Sequence, residues 1–307
     1  MITYLFPGQG TQKAGMYQLL GDKSNEVQEV FDIVKEVTGR DIKQLCTEAT
    51  DEELRLTINT QLCVTAMNMA YYQMLKNRGI QPDVVAGHSL GQFSALAAAG
   101  VLTLPDLFRL IQKRAQLMDE LEQAGSLATS IGLDKQTVEA VCKEVNATGA
   151  RVDLALENSN VQYVVGGTEE DVAIAVEKLK EAGAMRVVQI KVSNAFHTYM
   201  MEPMVKPFEA AVNAIEFHEP TARILLNAKG DFATSIDEIK EDVIRQCVSV
   251  VRWRESLDLI LPEPGLIMAE VGVGKVMAST VKGMDRSKKV YLMSNEKDFG
   301  QFIELVK

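Results

Sequence analysis

The residues whose types and spacing are best suited to chemistry form one pentapeptide, Gly87-His88-Ser89-Leu90-Gly91. This is the G-x-S-x-G spacing of a nucleophile elbow, in which a serine occupies a tight turn between a strand and a helix. A short β-branched run precedes it and an Ala- and Leu-rich segment follows, so both flanks fit. A Cβ at Gly87 or Gly91 would collide with neighbouring backbone, and the helix N-terminus would direct free N–H groups at the hydroxyl. The pattern predicts Ser89 as a nucleophile. The alternative is a glycine-containing loop that happens to hold a serine.

A serine hydroxyl needs a positioned base, and the chain has three histidines to supply one. His88 adjoins Ser89, and adjacent side chains on an elbow point in different directions. His218 lies between two glutamates in a segment typical of a solvated loop. His197 follows the last strand of a predicted inserted unit, over the mouth of a cleft. Elimination therefore predicts His197 as the base. No acidic residue stands out as its partner, but a backbone carbonyl can orient an imidazole.

Arg114 is the second informative side chain. It occupies the apolar stripe of a helix predicted to begin at Pro105, a stripe formed by Leu107, Ile111, Met118 and Leu121. A guanidinium on a core-facing stripe is costly unless it meets an anion. Three interpretations stay open from the residues alone: a snorkelling arginine, a partner for a structural carboxylate, or a fork that binds a substrate carboxylate in a bidentate manner.

The elements that must position these residues follow from hydrophobic periodicity. Residues 2–6 read as a buried strand, helical stripes dominate 17–79, and strands resume at 223–227 and 266–271. Between them, residues 126–196 show a β-α-β-β-α-β order. We therefore predict an α/β-hydrolase-like core with a mostly parallel sheet, plus an inserted ferredoxin-like small domain. The large domain would comprise 1–125 and 197–307, and the small domain 126–196.

Composition narrows the function classes. The net charge of −10 argues against nucleic acid as the main partner. The four cysteines, at 46, 63, 142 and 247, lack the spacing of a zinc site or a disulfide framework. The first residues lack the features of a signal peptide, and the most apolar stretch, 93–104, is too short to span a bilayer. A soluble, cytoplasmic protein without a metal is the expectation. A nicotinamide site at Gly8-Gln9-Gly10 is disfavoured, because Lys13 stands where the third glycine is required.

With these residues identified, the chain resembles malonyl-CoA:acyl carrier protein transacylases, including acyltransferases that serve polyketide synthases in trans. The resemblance covers essentially the whole chain. Its motifs are Phe6-Pro7-Gly8-Gln9-Gly10-Thr11-Gln12, Thr60-Gln61, Gly87-His88-Ser89-Leu90-Gly91, Lys113-Arg114-x-x-Leu117-Met118, Asn158-Ser159, Ala195-Phe196-His197, Met200-Met201, Val251-Arg252-Trp253 and Glu270-Val271-Gly272-x-Gly274-Lys275-Val276.

The resemblance implies a ping-pong transfer of malonyl from coenzyme A, through an acyl-serine, to the phosphopantetheine thiol of an acyl carrier protein, for fatty-acid or polyketide synthesis. It implies that Ser89 and His197 are catalytic and that the Gln246 backbone carbonyl orients the histidine. The residues that it implies for the oxyanion hole are Gln9 and Leu90, through their backbone N–H groups. The residues that it implies for substrate binding are Arg114, Gln61, Phe196, His88, Leu127 and Asn158. It implies no cofactor, and we expect a monomer.

Two rival functions stay open. An editing hydrolase of the same fold would clear acyl groups from stalled carriers, but such relatives tend to lack the carboxylate-binding arginine. The second rival is a non-catalytic subunit that docks carrier proteins. The presence of Ser89, His197 and Arg114 argues against it, because such a subunit would not need them.

Several positions depart from the family pattern, among them Gln92 in place of a common Glu and Asn194 in place of Gly or His. A basic cluster comprises Lys275, Lys282, Arg286, Lys288 and Lys289. It is consistent with a docking surface for an acidic carrier protein, a site for coenzyme A phosphates, or a solvated loop.

Overall fold

The computed structural model describes residues 1–192 and 194–307; Ser193, which the predicted small domain includes, lies outside the described residues. In those ranges the strands are β1 (Ile2–Phe6), β2 (Val84–Gly87), β3 (Gly125–Ile131), β4 (Val152–Ser159), β5 (Gln162–Gly167), β6 (Arg186–Val192), β7 (Arg223–Leu225), β8 (Ile267–Glu270) and β9 (Val290–Leu292). The helices are α1 (Gln28–Thr38), α2 (Ile42–Glu48), α3 (Asp51–Arg55), α4 (Thr57–Lys76), α5 (Gly91–Ala98), α6 (Leu104–Asp119), α7 (Lys135–Ala147), α8 (Glu169–Glu181), α9 (Glu202–Asn213), α10 (Ile236–Arg245), α11 (Trp253–Ile260), α12 (Val276–Met284) and α13 (Glu296–Val306).

One sheet is parallel and has the order β7-β2-β1-β8-β9. Successive residues of its strands face opposite sides: Tyr4 and Phe6 pack in one apolar layer, whereas Leu5 packs in another. Helices cover both faces, which explains why β1 is apolar throughout. The carboxyl ends of β1, β2, β7 and β8 share one edge, the edge at which α/β proteins bind ligands.

The second sheet is antiparallel and has the order β4-β5-β3-β6. Helices α7 and α8 bury apolar side chains against it, including Val138, Val172 and Leu179, in a cluster separate from the two layers above. Strand β4 of this sheet also contacts the segment just before α11, where Val251 N–H donates to the Ala155 carbonyl and the Val251 carbonyl accepts from Glu157 N–H, both at 2.9 Å.

The expected mixed α/β fold with a mostly parallel sheet is confirmed, and the differences are local. The helical stretch 17–79 divides into the 3₁₀ segment Met16–Val27 and four α-helices. The helix expected from Pro105 begins one residue earlier and is capped by Thr103, whose hydroxyl accepts from Asp106 N–H. Strand β7 ends at Leu225, two residues short of the expected 227, because the backbone turns there and Leu226 N–H donates to the Asp231 carbonyl.

Within the described ranges, no helix combines the length and apolarity needed to cross a bilayer. The same ranges contain no group of three or more His, Cys, Asp or Glu side chains placed to hold a metal ion. The four cysteines are buried and unbridged.

Candidate active site

The elbow forms where β2 ends at Gly87 and α5 begins at Gly91. A Cβ on Gly87 would lie 2.0 Å from the Gly91 carbonyl, and one on Gly91 would lie 2.1 Å from the Phe6 carbonyl oxygen. Both distances are far inside van der Waals contact, so only glycine permits this turn. The turn places Ser89 at φ 51°, a left-handed conformation that costs about 1–3 kcal/mol for a residue with a side chain.

Ser89 and His197 are in direct contact. Ser89 Oγ lies 2.7 Å from His197 Nε2, and His197 Nδ1 lies 2.9 Å from the Gln246 carbonyl oxygen. Because a carbonyl only accepts, the imidazole carries its proton on Nδ1 and turns the Nε2 lone pair toward the hydroxyl. His197 also has a positive φ of 64°, and in the described ranges Ser89 and His197 are the two non-glycine residues with that conformation. Backbone strain of this kind is concentrated at functional sites.

The electrostatic environment keeps His197 neutral. Burial lowers its pKa to about 3, the hydrogen bond to Gln246 opposes that shift, and the nearby Arg114 charge adds to it. At neutral pH the imidazole is therefore unprotonated and able to accept the serine proton.

The other two histidines lie elsewhere. His88 Nε2 is 2.8 Å from Asn158 Oδ1, and its ring meets the Trp253 ring edge-to-face at 5.5 Å between centroids. Removal of water lowers the pKa of His88, and its bond to Asn158 partly opposes this. His218 is half-buried, and its Nδ1 lies 3.7 Å from Glu216 Oε1.

Arg114 lies in the protein interior, with 1% of its surface exposed. It donates to Gln61 Oε1 at 2.7 Å and makes a long contact of 3.5 Å to Gln246 Oε1. Its Nε has no hydrogen-bond partner, and no carboxylate among residues 1–192 and 194–307 forms an ion pair with it. The snorkelling and structural-carboxylate interpretations are therefore both wrong, and the guanidinium keeps an unused capacity for an anion.

A cavity of about 660 Å³ opens in front of Ser89 and His197. Its lining residues are Gln9, Gly10, Gln12, Arg55, Thr57, Thr60, His88, Ser89, Leu127, Leu156, Ile190, Phe196 and His197. Of the residues expected in the site, five do not line this cavity: Gln61, Leu90, Arg114, Asn158 and Gln246. Gln246 links the deeper layer to the nucleophile, because its Nε2 donates to the Ser89 carbonyl at 2.9 Å.

Backbone donors near the nucleophile differ in how they are used. Ser89 N–H donates to Asn227 Oδ1 at 2.7 Å, and Gly91 N–H donates to the His88 carbonyl at 2.9 Å. By contrast, within the ranges that the structure covers, the N–H groups of Gln9 and Leu90 donate to no protein acceptor. The protein itself therefore leaves these two donors unused.

Two residues at the site were missed by sequence reasoning. Asn227 forms hydrogen bonds with the elbow backbone. The feature of the sequence that could have indicated this is a polar residue at the carboxyl end of a strand. Arg55 brings an exposed cation to the cavity rim. Nothing in its local sequence distinguishes it from any other arginine at a helix end.

The basic cluster forms the wall of a concavity of about 520 Å³ between α12 and β9. Lys275, Lys282, Arg286, Lys288 and Lys289 all line it. In the described part of the chain none of these five cations forms an ion pair with a carboxylate. The lining of this concavity is therefore mainly cationic, with Asp298 as its one carboxylate among the described lining residues.

Comparison with known proteins agrees with this geometry. A model of the acyl transferase domain matches residues 3–281. The malonyl CoA-acyl carrier protein transacylase of Bacillus subtilis (strain 168) is 34% identical, with 100% of this chain and 97% of the relative covered. A solved acyl-carrier-protein S-malonyltransferase from Burkholderia pseudomallei 1710b has a TM-score of 0.93 at 32% identity, covering 99% of each chain. A malonyl-transacylase solved in complex with its type II PKS acyl-carrier protein has a TM-score of 0.94 at 31% identity, again covering 99% of each chain.

The elbow, the Ser–His pair and the family match define an acyl transferase. The chain belongs to the acyl transferase domain family and, within it, to the malonyl CoA-acyl carrier protein transacylases. The resemblance inferred from its motifs is confirmed.

Proposed function

We propose that this enzyme transfers a malonyl group from coenzyme A to the phosphopantetheine thiol of an acyl carrier protein, in fatty-acid or polyketide synthesis. The observation that carries the proposal is the buried Arg114, which has no carboxylate partner and lies near enough to His197 for its charge to lower the pKa of the imidazole. A cation held in that state favours a substrate that brings its own carboxylate, as malonyl does and acetyl does not. The names of the relatives support the same substrate and partner.

The chemistry follows from the contacts. Ser89 Oγ attacks the thioester carbonyl while its proton passes to His197 Nε2 over 2.7 Å. The N–H groups of Gln9 and Leu90 stabilise the oxyanion, and the tetrahedral intermediate then expels the coenzyme A thiolate, which takes the proton from His197. The carrier thiol next gives its proton to His197 and attacks the carbonyl of the malonyl-serine. When the bond to Ser89 breaks, the departing Ser89 oxygen recovers that proton from His197. No external acid, base or cofactor is consumed.

The remaining residues act on these groups. Gln61 holds Arg114, and Asn158 holds His88 in the cavity wall. Leu127 and Phe196 give that wall an apolar surface near the acyl chain.

The order β4-β5-β3-β6 and its two helices support a ferredoxin-like small domain at 126–196. The parallel sheet that carries the elbow supports an α/β-hydrolase-like large domain at 1–125 and 197–307.

Intact-mass spectrometry tests the function. Wild-type protein mixed with malonyl-CoA is expected to gain one malonyl group, mapped by proteolysis to the peptide that contains Ser89, and to lose it when a phosphopantetheinylated carrier protein is added. The carrier should gain the same mass. Acetyl-CoA serves as the control and should give little adduct. If malonyl-carrier is instead hydrolysed to free carrier, the editing hydrolase replaces the transferase.

We further propose that the concavity lined by the basic cluster receives the acidic carrier protein. Lys282→Glu with Arg286→Glu is expected to reduce kcat/KM for the carrier by about tenfold or more at low salt, and by less at high salt, because exposed charges are screened. Acylation by malonyl-CoA should be unchanged. Lys206→Glu, at an exposed lysine of α9, is the charge control and is compared with the single variant Lys282→Glu.

The same double variant separates the alternatives. Loss of acylation by malonyl-CoA would assign the concavity to coenzyme A phosphates. Unchanged rates with both substrates would leave it a solvated surface.

A further inference from the structure

The strained backbone at Ser89 needs a support that the glycines do not provide. Asn227 supplies it with both ends of its side-chain amide. Asn227 Oδ1 accepts from Ser89 N–H, and Asn227 Nδ2 donates to the Gly87 carbonyl, each at 2.7 Å. The amide thus clasps the two peptide groups that flank His88, at the point where the β2–β7 ladder has ended.

Asn227 is itself fixed by buried polar groups. Its backbone N–H donates to Gln92 Oε1 at 2.9 Å, and Gln92 Nε2 donates to Asp242 Oδ1 at 2.7 Å. The other carboxylate oxygen of Asp242 accepts from the N–H groups of Ala228 and Lys229, which directly follow Asn227. The segment therefore cannot move without breaking several buried hydrogen bonds.

The clasp is also connected to the rest of the site. Gln246 Nε2 donates to the Ser89 carbonyl at 2.9 Å and lies 3.4 Å from Asn227 Oδ1. Both peptide groups of Ser89 are thereby held, the N–H by Asn227 and the carbonyl by Gln246. Because the Gln246 backbone carbonyl also binds His197, one small set of amides sets the positions of nucleophile and base together.

We propose that Asn227 is a positioning residue for acyl transfer: its side-chain amide holds Ser89 in the left-handed conformation that brings Oγ to His197. The clasp has a second consequence. It occupies Ser89 N–H and leaves Leu90 N–H as the free donor of the elbow. A primary amide of this length offers one donor and one acceptor to these two groups at any pH, whereas a carboxyl group of the same length can donate only when it is protonated. The inference rests on the proposed function of Ser89 as nucleophile.

The test compares Asn227→Ala with Asn146→Ala. Asn146 makes the same kind of two-point contact, with Val152 N–H at 2.8 Å and the Val152 carbonyl at 3.0 Å, but lies in the last turn of α7, against the antiparallel sheet. Asn227→Ala is expected to slow labelling of Ser89 by a fluorophosphonate, and kcat for malonyl transfer, by about 100-fold, because small misplacements of a nucleophile have effects of that size. KM for malonyl-CoA should stay within about threefold. Asn146→Ala should lower the thermal midpoint without slowing either reaction.

A second variant covers the case in which Asn227→Ala does not fold. In Asn227→Asp, an ionised carboxylate faces the Gly87 carbonyl, whereas a protonated one can donate to it. Labelling of this variant should therefore become faster as pH falls, unlike that of wild type. Labelling of Asn227→Ala at the wild-type rate, a loss that lies wholly in KM, or a flat pH profile for Asn227→Asp would overturn the proposal. Since labelling needs no malonyl substrate, failure of the proposed function would appear separately, in wild type.

Discussion

Ser89→Ala and His197→Ala are each expected to reduce kcat for malonyl transfer by about 10⁴- to 10⁶-fold, and the double variant to be no slower than Ser89→Ala. The reason is that Ser89 Oγ and His197 Nε2, 2.7 Å apart, act as one unit. Removing the hydroxyl leaves the imidazole nothing to deprotonate. Single-turnover acylation, followed by intact mass, measures all three variants. His218→Ala, at the histidine that lies beside Glu216, should leave kcat unchanged. Losses that multiply in the double variant would contradict a shared role.

The pH dependence of wild-type acylation is a second measurement of the same pair. Burial holds the pKa of His197 near 3, so the base stays neutral well below the range in which an ordinary histidine titrates. The acylation rate should be flat from about pH 8 down to about pH 5, where a histidine of ordinary pKa would already have lost most of it.

The same depressed pKa affects stability. The unfolded chain takes up a proton near the ordinary histidine value and the folded site does not. The contribution of His197 to folding is therefore complete above about pH 6.5 and is lost progressively as pH falls toward 3. Denaturant unfolding at several pH values separates this loss from any change in rate.

The parts of the site that could be predicted from sequence are those set by short-range physics. The elbow could be predicted because its turn requires glycine at two positions. A Cβ on Gly87 or on Gly91 would lie within 2.1 Å of a backbone atom. Elimination among three histidines singled out His197, and the structure places its imidazole beside Ser89. The β-α-β-β-α-β order is visible because each element there has a clean period.

The parts that could not be predicted depend on how distant segments meet. The sequence predicts Asn227 as the last residue of a strand. Its hydrogen bond to the Gly87 carbonyl of the elbow forms because β7 pairs with β2 and ends before Asn227. The lack of a carboxylate partner for Arg114 is likewise a property of the assembled core. Its amide partners, Gln61 and Gln246, come from different elements of the chain. A helical stripe can show that a cation is buried, but not what it meets.

Arg114→Ala is expected to reduce kcat/KM for malonyl-CoA by about 10³-fold while leaving acetyl-CoA unchanged or better used. The wild-type guanidinium is 1% exposed, has a free Nε, and is held by one short bond to Gln61. A malonyl carboxylate would complete its hydrogen bonding, whereas an acetyl group would leave a buried charge uncompensated. Removing the cation therefore removes both the gain for malonyl and the penalty for acetyl.

Competition between the two thioesters in one reaction measures this change directly, since the ratio of adducts on Ser89 is a ratio of kcat/KM values. Arg109→Ala is the matched control, because Arg109 lies on the exposed side of the same helix, where it pairs with Asp106 at 2.7 Å. Arg114→Lys should recover only part of the selectivity, since a single ammonium cannot bind a carboxylate with two parallel hydrogen bonds. An equal loss with both thioesters would mean that Arg114 supports the fold of the site rather than the choice of acyl group, and the proposed preference for malonyl would then lose its physical basis.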